Sequence, residues 1–93
     1  MARMTRLGKL ATTITHSGDE TIVSFHSTQV VKFTSKTITL NSGGWLTATT
    51  KVRMNQASYE FNLDYMVFAE KGIWRVSYDG KIIPFKDGMV ITR

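Results

Sequence analysis

A single helical stretch interrupts a chain otherwise written as short strands, and that pattern constrains the fold more than any other feature. Residues 11–16, 21–26, 29–33 and 36–40 are dense in Val, Ile, Thr and Phe, side chains that suit a pleated, half-buried backbone. Within 36–40, Ile38 and Leu40 alternate with threonines, so one face is buried and the other wet. Val30, Val31 and Phe33 make a denser apolar run. Strand patterns return at 65–70, 73–78, 81–84 and 89–92, separated by Lys71-Gly72, Asp79-Gly80 and Asp87-Gly88. Asp-Gly pairs suit the positive φ angles of tight hairpin turns, so this half reads as an antiparallel meander. Between the halves, Asn41-Ser42-Gly43-Gly44 breaks the strand pattern, and Met54, Ala57 and Phe61 then recur at helical spacing. The helix is expected at about 49–61, with Thr47 or Thr49 as N-cap.

The reading is an α+β fold: a small single domain over 10–93, an antiparallel sheet or meander with one central helix, preceded by a basic arm at 1–9. At 93 residues the core is adequate but small. One helix covers one face of one sheet. The opposite face needs water, a second sheet or another subunit, so a homo-oligomer is expected. No apolar run reaches membrane-spanning length, and no apolar signal-type stretch follows the basic start, so a cytoplasmic protein without a membrane partner is expected. The absence of cysteine excludes disulfides, thiolate zinc sites and cysteine nucleophiles. Net charge is +5, from 12 Lys and Arg against 7 Asp and Glu. Arg3, Arg6 and Lys9 supply three of those cations, leaving nine against seven in the rest. So balanced a body lacks the dense basic face usual for a nucleic-acid-binding domain.

The segment that carries candidate chemistry runs from Gly43 into the helix. A helix start has N–H groups without intrahelical partners, and these favour an anion. Gly43 and Gly44 allow close backbone approach, and Trp45 offers a stacking surface. Thr47, Thr49 and Thr50 bring hydroxyls, Lys51 and Arg53 bring countercharge, and Asn55 can read a base or sugar edge. These nine residues form the candidate site for a phosphate-bearing small molecule. The same residues also fit a glycine turn, a core indole, helix caps and solvated cations. That plainer account weighs more, since caps and glycine turns occur at most helix starts. The spacing is not that of a P-loop, so nucleotide hydrolysis has no support.

Other chemistry is weaker. His16 and His26 lie on neighbouring strand patterns, but a metal needs three or four ligands and only Asp19 and Glu20 are at hand, so no metal site is expected. No Ser, His and Asp arrangement or carboxylate pair stands out, so no catalytic residue, no cofactor and no enzymatic activity are expected. The aromatics fit core positions. Trp74, Val76 and Tyr78 alternate on one strand face, with Arg75 and Ser77 on the other.

The runs His26-Ser27-Thr28-Gln29-Val30-Val31, Thr37-Ile38-Thr39-Leu40-Asn41-Ser42-Gly43-Gly44-Trp45, Thr47-Ala48-Thr49-Thr50-Lys51 and Arg53-Met54-Asn55-Gln56-Ala57, with Trp74 and Pro84-Phe85, carry a resemblance. Together they resemble a family of small bacteriophage proteins without an assigned activity. In that family a cation often follows the Gly-Gly-Trp; here Leu46 stands in its place. The resemblance implies a phage accessory protein of the infected bacterial cytoplasm and brings no catalytic residue with it. The expected function is non-enzymatic binding of a phosphate-bearing ligand, a nucleotide such as a host immune signal held without turnover. The alternative is an interaction module that binds nucleic acid or a host protein and inhibits or redirects it. The cationic arm motivates that alternative.

Overall fold

The computed structural model describes residues 12–25, 28–44 and 46–93. The expected arm at 1–9, His26 and Trp45 lie outside them. The element order is β1 (Thr12–Ser17), β2 (Glu20–Phe25), β3 (Thr28–Phe33), β4 (Thr37–Leu40), α1 (Ala48–Glu60), β5 (Tyr65–Glu70), β6 (Ile73–Tyr78), β7 (Lys81–Pro84) and β8 (Met89–Thr92). The α+β class is as the sequence implies, although most of the structure is sheet. Two antiparallel sheets form, a five-stranded one in the order β1-β2-β3-β4-β8 and a three-stranded one in the order β5-β6-β7.

Local turn chemistry sets the hairpins. Lys71-Gly72 and Asp79-Gly80 each join strands through two residues of positive φ, at 53° and 78° and at 53° and 73°. Both φ values suit the type I′ turn, whose twist matches that of the strands it joins. The third such dipeptide behaves differently. Asp87-Gly88 is not a hairpin between β7 and β8, because β8 leaves the meander and pairs with β4 in the other sheet. Two anchors hold the crossing: Phe85 N–H donates to the Trp74 carbonyl of β6 at 3.2 Å, and Gly88 N–H donates to the Leu40 carbonyl of β4 at 2.8 Å. Long-range pairing overrides the local hairpin signal here.

In the larger sheet, register places Val23, Val31, Leu40 and Met89 in one row across β2, β3, β4 and β8. Phe33, Ile38 and Ile91 form the next row on the same face. Neighbouring strand residues normally point to opposite faces, yet Val30 and Val31 are both fully buried. The register shift opposite Val23 and Ser24 explains it. Val30 is the extra residue of a β-bulge, so the run can turn two successive valines inward.

The helix closes the core between the sheets. It packs against β5 and also reaches β3 and β2. Met54 and Ala57 are fully buried, as their spacing implies, and Phe61 stacks at 5.1 Å on Phe33. Burying a Met side chain is worth roughly 1.5–3 kcal/mol, so this stripe ties the two sheets into one core. The helix ends in a Schellman-type turn: Asn62 adopts φ 54°, and Leu63 N–H donates to the Ser58 carbonyl at 2.9 Å.

The helix also protects a sheet edge. β5 pairs with β6 on one side only. On its open side Asn55 donates from Nδ2 to the Val67 carbonyl at 2.8 Å and accepts Val67 N–H at Oδ1 at 2.7 Å. One turn on, the Ser58 hydroxyl donates to the Tyr65 carbonyl at 2.7 Å and accepts Tyr65 N–H at 3.0 Å. Two side chains thus stand in for a neighbouring strand, which removes an exposed pairing edge.

Candidate functional site at the helix start

The loop leading into α1 is held from below. Ser42 donates to Asp87 Oδ1 twice, from its N–H at 2.8 Å and its hydroxyl at 2.7 Å. Gly43 N–H donates to Asn41 Oδ1 and Gly44 N–H to the Ser42 hydroxyl, at 3.0 and 3.1 Å. Gly43 has φ 64°, and a Cβ there would come within 2.7 Å of Thr28 Oγ1 and Cγ2. Glycine is therefore required twice over, by the backbone angle and by the neighbour. Gly44, at φ 87°, faces open space. Both are exposed.

Thr47 is the N-cap. Its hydroxyl accepts Thr50 N–H at 3.3 Å, and its carbonyl accepts Lys51 N–H at 3.1 Å. Thr50 is buried, and its hydroxyl lies 3.1 Å from that of Thr47. These two threonines serve the cap. Thr49 is exposed beside them. No acidic residue occupies the first turn, so the positive end of the helix is left uncompensated by its own side chains.

The two cations diverge, because residues two apart on a helix point to nearly opposite sides. Lys51 Nζ sits 5.6 Å from the Trp74 ring, toward the smaller sheet. Arg53 lies 5.4 Å from the Phe25 ring of the larger sheet and donates to Gln56 Oε1 at 3.1 Å. Asn55 is bound through both amide atoms to Val67. The structure therefore leaves Gly43, Gly44, Thr47 and Thr49 exposed in and just after the loop that leads into α1. It sends Lys51 and Arg53 to opposite flanks, and it employs Thr50 and Asn55 inside the fold. His16, exposed on β1, is 3.1 Å through Nδ1 from the Thr21 hydroxyl. Among the described residues no three His, Asp or Glu side chains gather as a metal site.

Sequence reasoning missed the Ser42–Asp87 clamp and the edge role of Asn55 and Ser58. Polar residues on the flank of an amphipathic helix are the sole local hint of the second. It also missed Tyr65. That hydroxyl donates to the Met54 carbonyl at 2.6 Å, and burial pushes the phenol far above its ordinary range, keeping it neutral.

Among the described residues no helix is long and apolar enough to cross a membrane. No curated protein and no solved structure matches this chain. The sequence pattern of one bacteriophage family does match, over residues 2–92, which spans nearly all of the chain. On that match the chain belongs to the Kyanoviridae Gp96 protein family.

Proposed function

We propose that this phage protein is a non-enzymatic accessory factor that holds a phosphate-bearing ligand, a nucleotide in the first instance, at the start of α1. The observation that carries the reading is an exposed helix start with no acid in its first turn, adjoining two exposed glycines of positive φ. In this reading the N–H groups of Ala48 and Thr49 and the Thr49 hydroxyl donate to phosphate oxygens, since the Thr50 N–H already serves the cap. Thr47 and Thr50 shape the cap. Lys51 and Arg53 contribute charge from the flanks, and Asn55 positions the helix instead of reading a base. Binding without turnover suits sequestration of a host immune nucleotide in the infected cytoplasm.

Thr49→Glu separates binding from stability. An acid in the first turn favours the helix by about 0.5 kcal/mol, yet it repels an anion at the same place. Calorimetric titration with a nucleotide panel is expected to show binding to the native chain and none to Thr49→Glu, whose melting temperature holds or rises. No heat with any nucleotide at high micromolar concentration, or equal affinity in Thr49→Glu, overturns the reading.

The alternative, a module that binds a host protein or nucleic acid, has one observation in its favour. The outer face of the smaller sheet exposes Met66, Ile73 and Ile82, and single-sided sheets normally present polar residues there. A homo-oligomer would cover the same face. Sedimentation at increasing concentration reads self-association, and a steep fall of affinity with salt marks a nucleic-acid partner.

A further inference from the structure

A strand at the edge of a sheet offers backbone N–H and C=O groups that a further strand can take up. Among the described residues the edge strands are β1 and β8 in one sheet and β5 and β7 in the other. Three of them are blunted or short. Asn55 and Ser58 close the open side of β5. β7 and β8 have four residues each, and β7 ends in Pro84, which has no N–H to give. β1 differs. It has six residues, every one after Thr12 is exposed, and its ladder to β2 runs without a bulge. Thr12–Ser17 holds no proline and no Asp, Glu, Lys or Arg, the residues that usually guard an edge.

Register fixes which groups face outward. The two-residue turn Gly18-Asp19 makes Ser17 and Glu20 a hydrogen-bonded pair. Such pairs alternate along an antiparallel ladder, so Thr15 with Ile22 and Thr13 with Ser24 are bonded as well. The N–H and C=O groups of Ile14 and His16 therefore point away from β2, out of the sheet edge.

We infer that β1 is a contact between two copies of this chain, which pair antiparallel about a two-fold axis and join their larger sheets into one. The inference is independent of ligand binding at the helix start. A second copy suits this edge for two reasons. Each copy carries a net charge of +5, so copies meet most favourably where neither brings a formal charge, and β1 is such a strip. The strip is also self-complementary. Outward groups meet outward groups over most of the strand when the axis passes through Ile14 or Thr15. In either register the outer face sets hydroxyl against hydroxyl, Thr13 against the partner's Thr15, or Thr15 against the partner's Thr15. On the other face the exposed Ile14 meets Ile14 or His16 of the partner subunit. Six residues of strand span about 20 Å, and that strip covers less than the roughly 800 Å² a side of a standard interface. The dimer is therefore concentration-dependent.

Sedimentation equilibrium of the full chain from roughly 10 μM to 1 mM, the range an interface of this size occupies, is expected to show monomer passing to dimer. Over that range the Ile14 and His16 amides should exchange about tenfold more slowly, because exchange then waits on the remaining monomer. Ile14→Pro removes no bond within the fold, since that N–H points outward, and is expected to remain folded and monomeric. Thr13→Lys/Thr15→Lys sets cations against each other in either register and is expected to be monomeric too. The chain has no cysteine. Ile14→Cys or Thr15→Cys, whichever lies on the axis, should cross-link under mild oxidation, since paired strands hold Cα atoms about 4.5–5.5 Å apart; Thr39→Cys on β4 should not. A chain that stays monomeric up to about 1 mM, or a dimer that survives both β1 variants, overturns the inference. So does a dimer lost in Met66→Lys/Ile82→Lys but kept in the β1 variants, which places the contact on the smaller sheet.

Discussion

Asn55→Ala is the perturbation that most directly tests how the helix and the smaller sheet are joined. It deletes the bonds of 2.8 and 2.7 Å to the Val67 carbonyl and N–H. A typical hydrogen bond contributes about 0.5–1.5 kcal/mol net, and a buried polar group left without a partner costs about 1–3 kcal/mol. Asn55 is half-buried, so water reaches part of the vacated edge and the lower ends of those ranges apply. The expected loss is about 2–3 kcal/mol, a large share of the roughly 5–15 kcal/mol that holds a domain folded. At about 4–8 °C per kcal/mol for a chain of this size, the melting temperature falls by roughly 10–20 °C. Urea denaturation is the assay: the midpoint should drop with the slope unchanged, and the Val67 amide should lose its protection from hydrogen exchange. Asn55→Asp keeps the acceptor but sets a carboxylate oxygen against the Val67 carbonyl, so it should rescue little. A loss below about 0.5 kcal/mol, or unaltered exchange at Val67, would refute the edge-clamp account.

Gly43→Ala should cost clearly more than Gly44→Ala: both positions have positive φ, but only at Gly43 does the new methyl strike Thr28, and Gly43→Ala/Thr28→Ala should recover part of the difference in thermal melts. Asp87→Ala removes an ionised acceptor from two Ser42 donors and should destabilise by about 2–3 kcal/mol; a denaturation midpoint within about 0.5 kcal/mol of the native value contradicts the clamp. Tyr65 binds its proton more tightly folded than unfolded, so its contribution is intact below the unfolded pKa near 10 and declines above it by about 1.4 kcal/mol per pH unit. Tyr65→Phe should flatten that alkaline decline; an equal slope in both proteins shows that other groups cause it.

Much of this fold was legible because its signals are local. The last four strands keep the bounds that Lys71-Gly72, Asp79-Gly80 and the flanking alternation imply, and the helix begins at Ala48, directly after Thr47, one of the two caps its threonines offer. The misreading of Asp87-Gly88 has an equally physical cause. A dipeptide reports which φ angles are cheap, whereas the partner of β8 depends on the row of Leu40 and Ile38 waiting 50 residues upstream. The candidate site was legible as a helix start with glycines and hydroxyls. The employment of Asn55 by Val67 was not, because a side chain's free hydrogen-bonding capacity depends on what packs against it.

The sequence alone determined the α+β class, the approximate strand and helix spans, a chain break at Asn41-Ser42-Gly43-Gly44 before the helix, and an overall positive charge. These follow from φ preferences, hydrophobic period and residue counts, which each segment carries by itself. Only the tertiary structure decided that the strands divide into two sheets, that Val30 and Val31 are buried together, and that Lys51 and Arg53 face opposite flanks. Those outcomes depend on contacts between distant segments, where burial of the shared core outweighs the local preference of any turn.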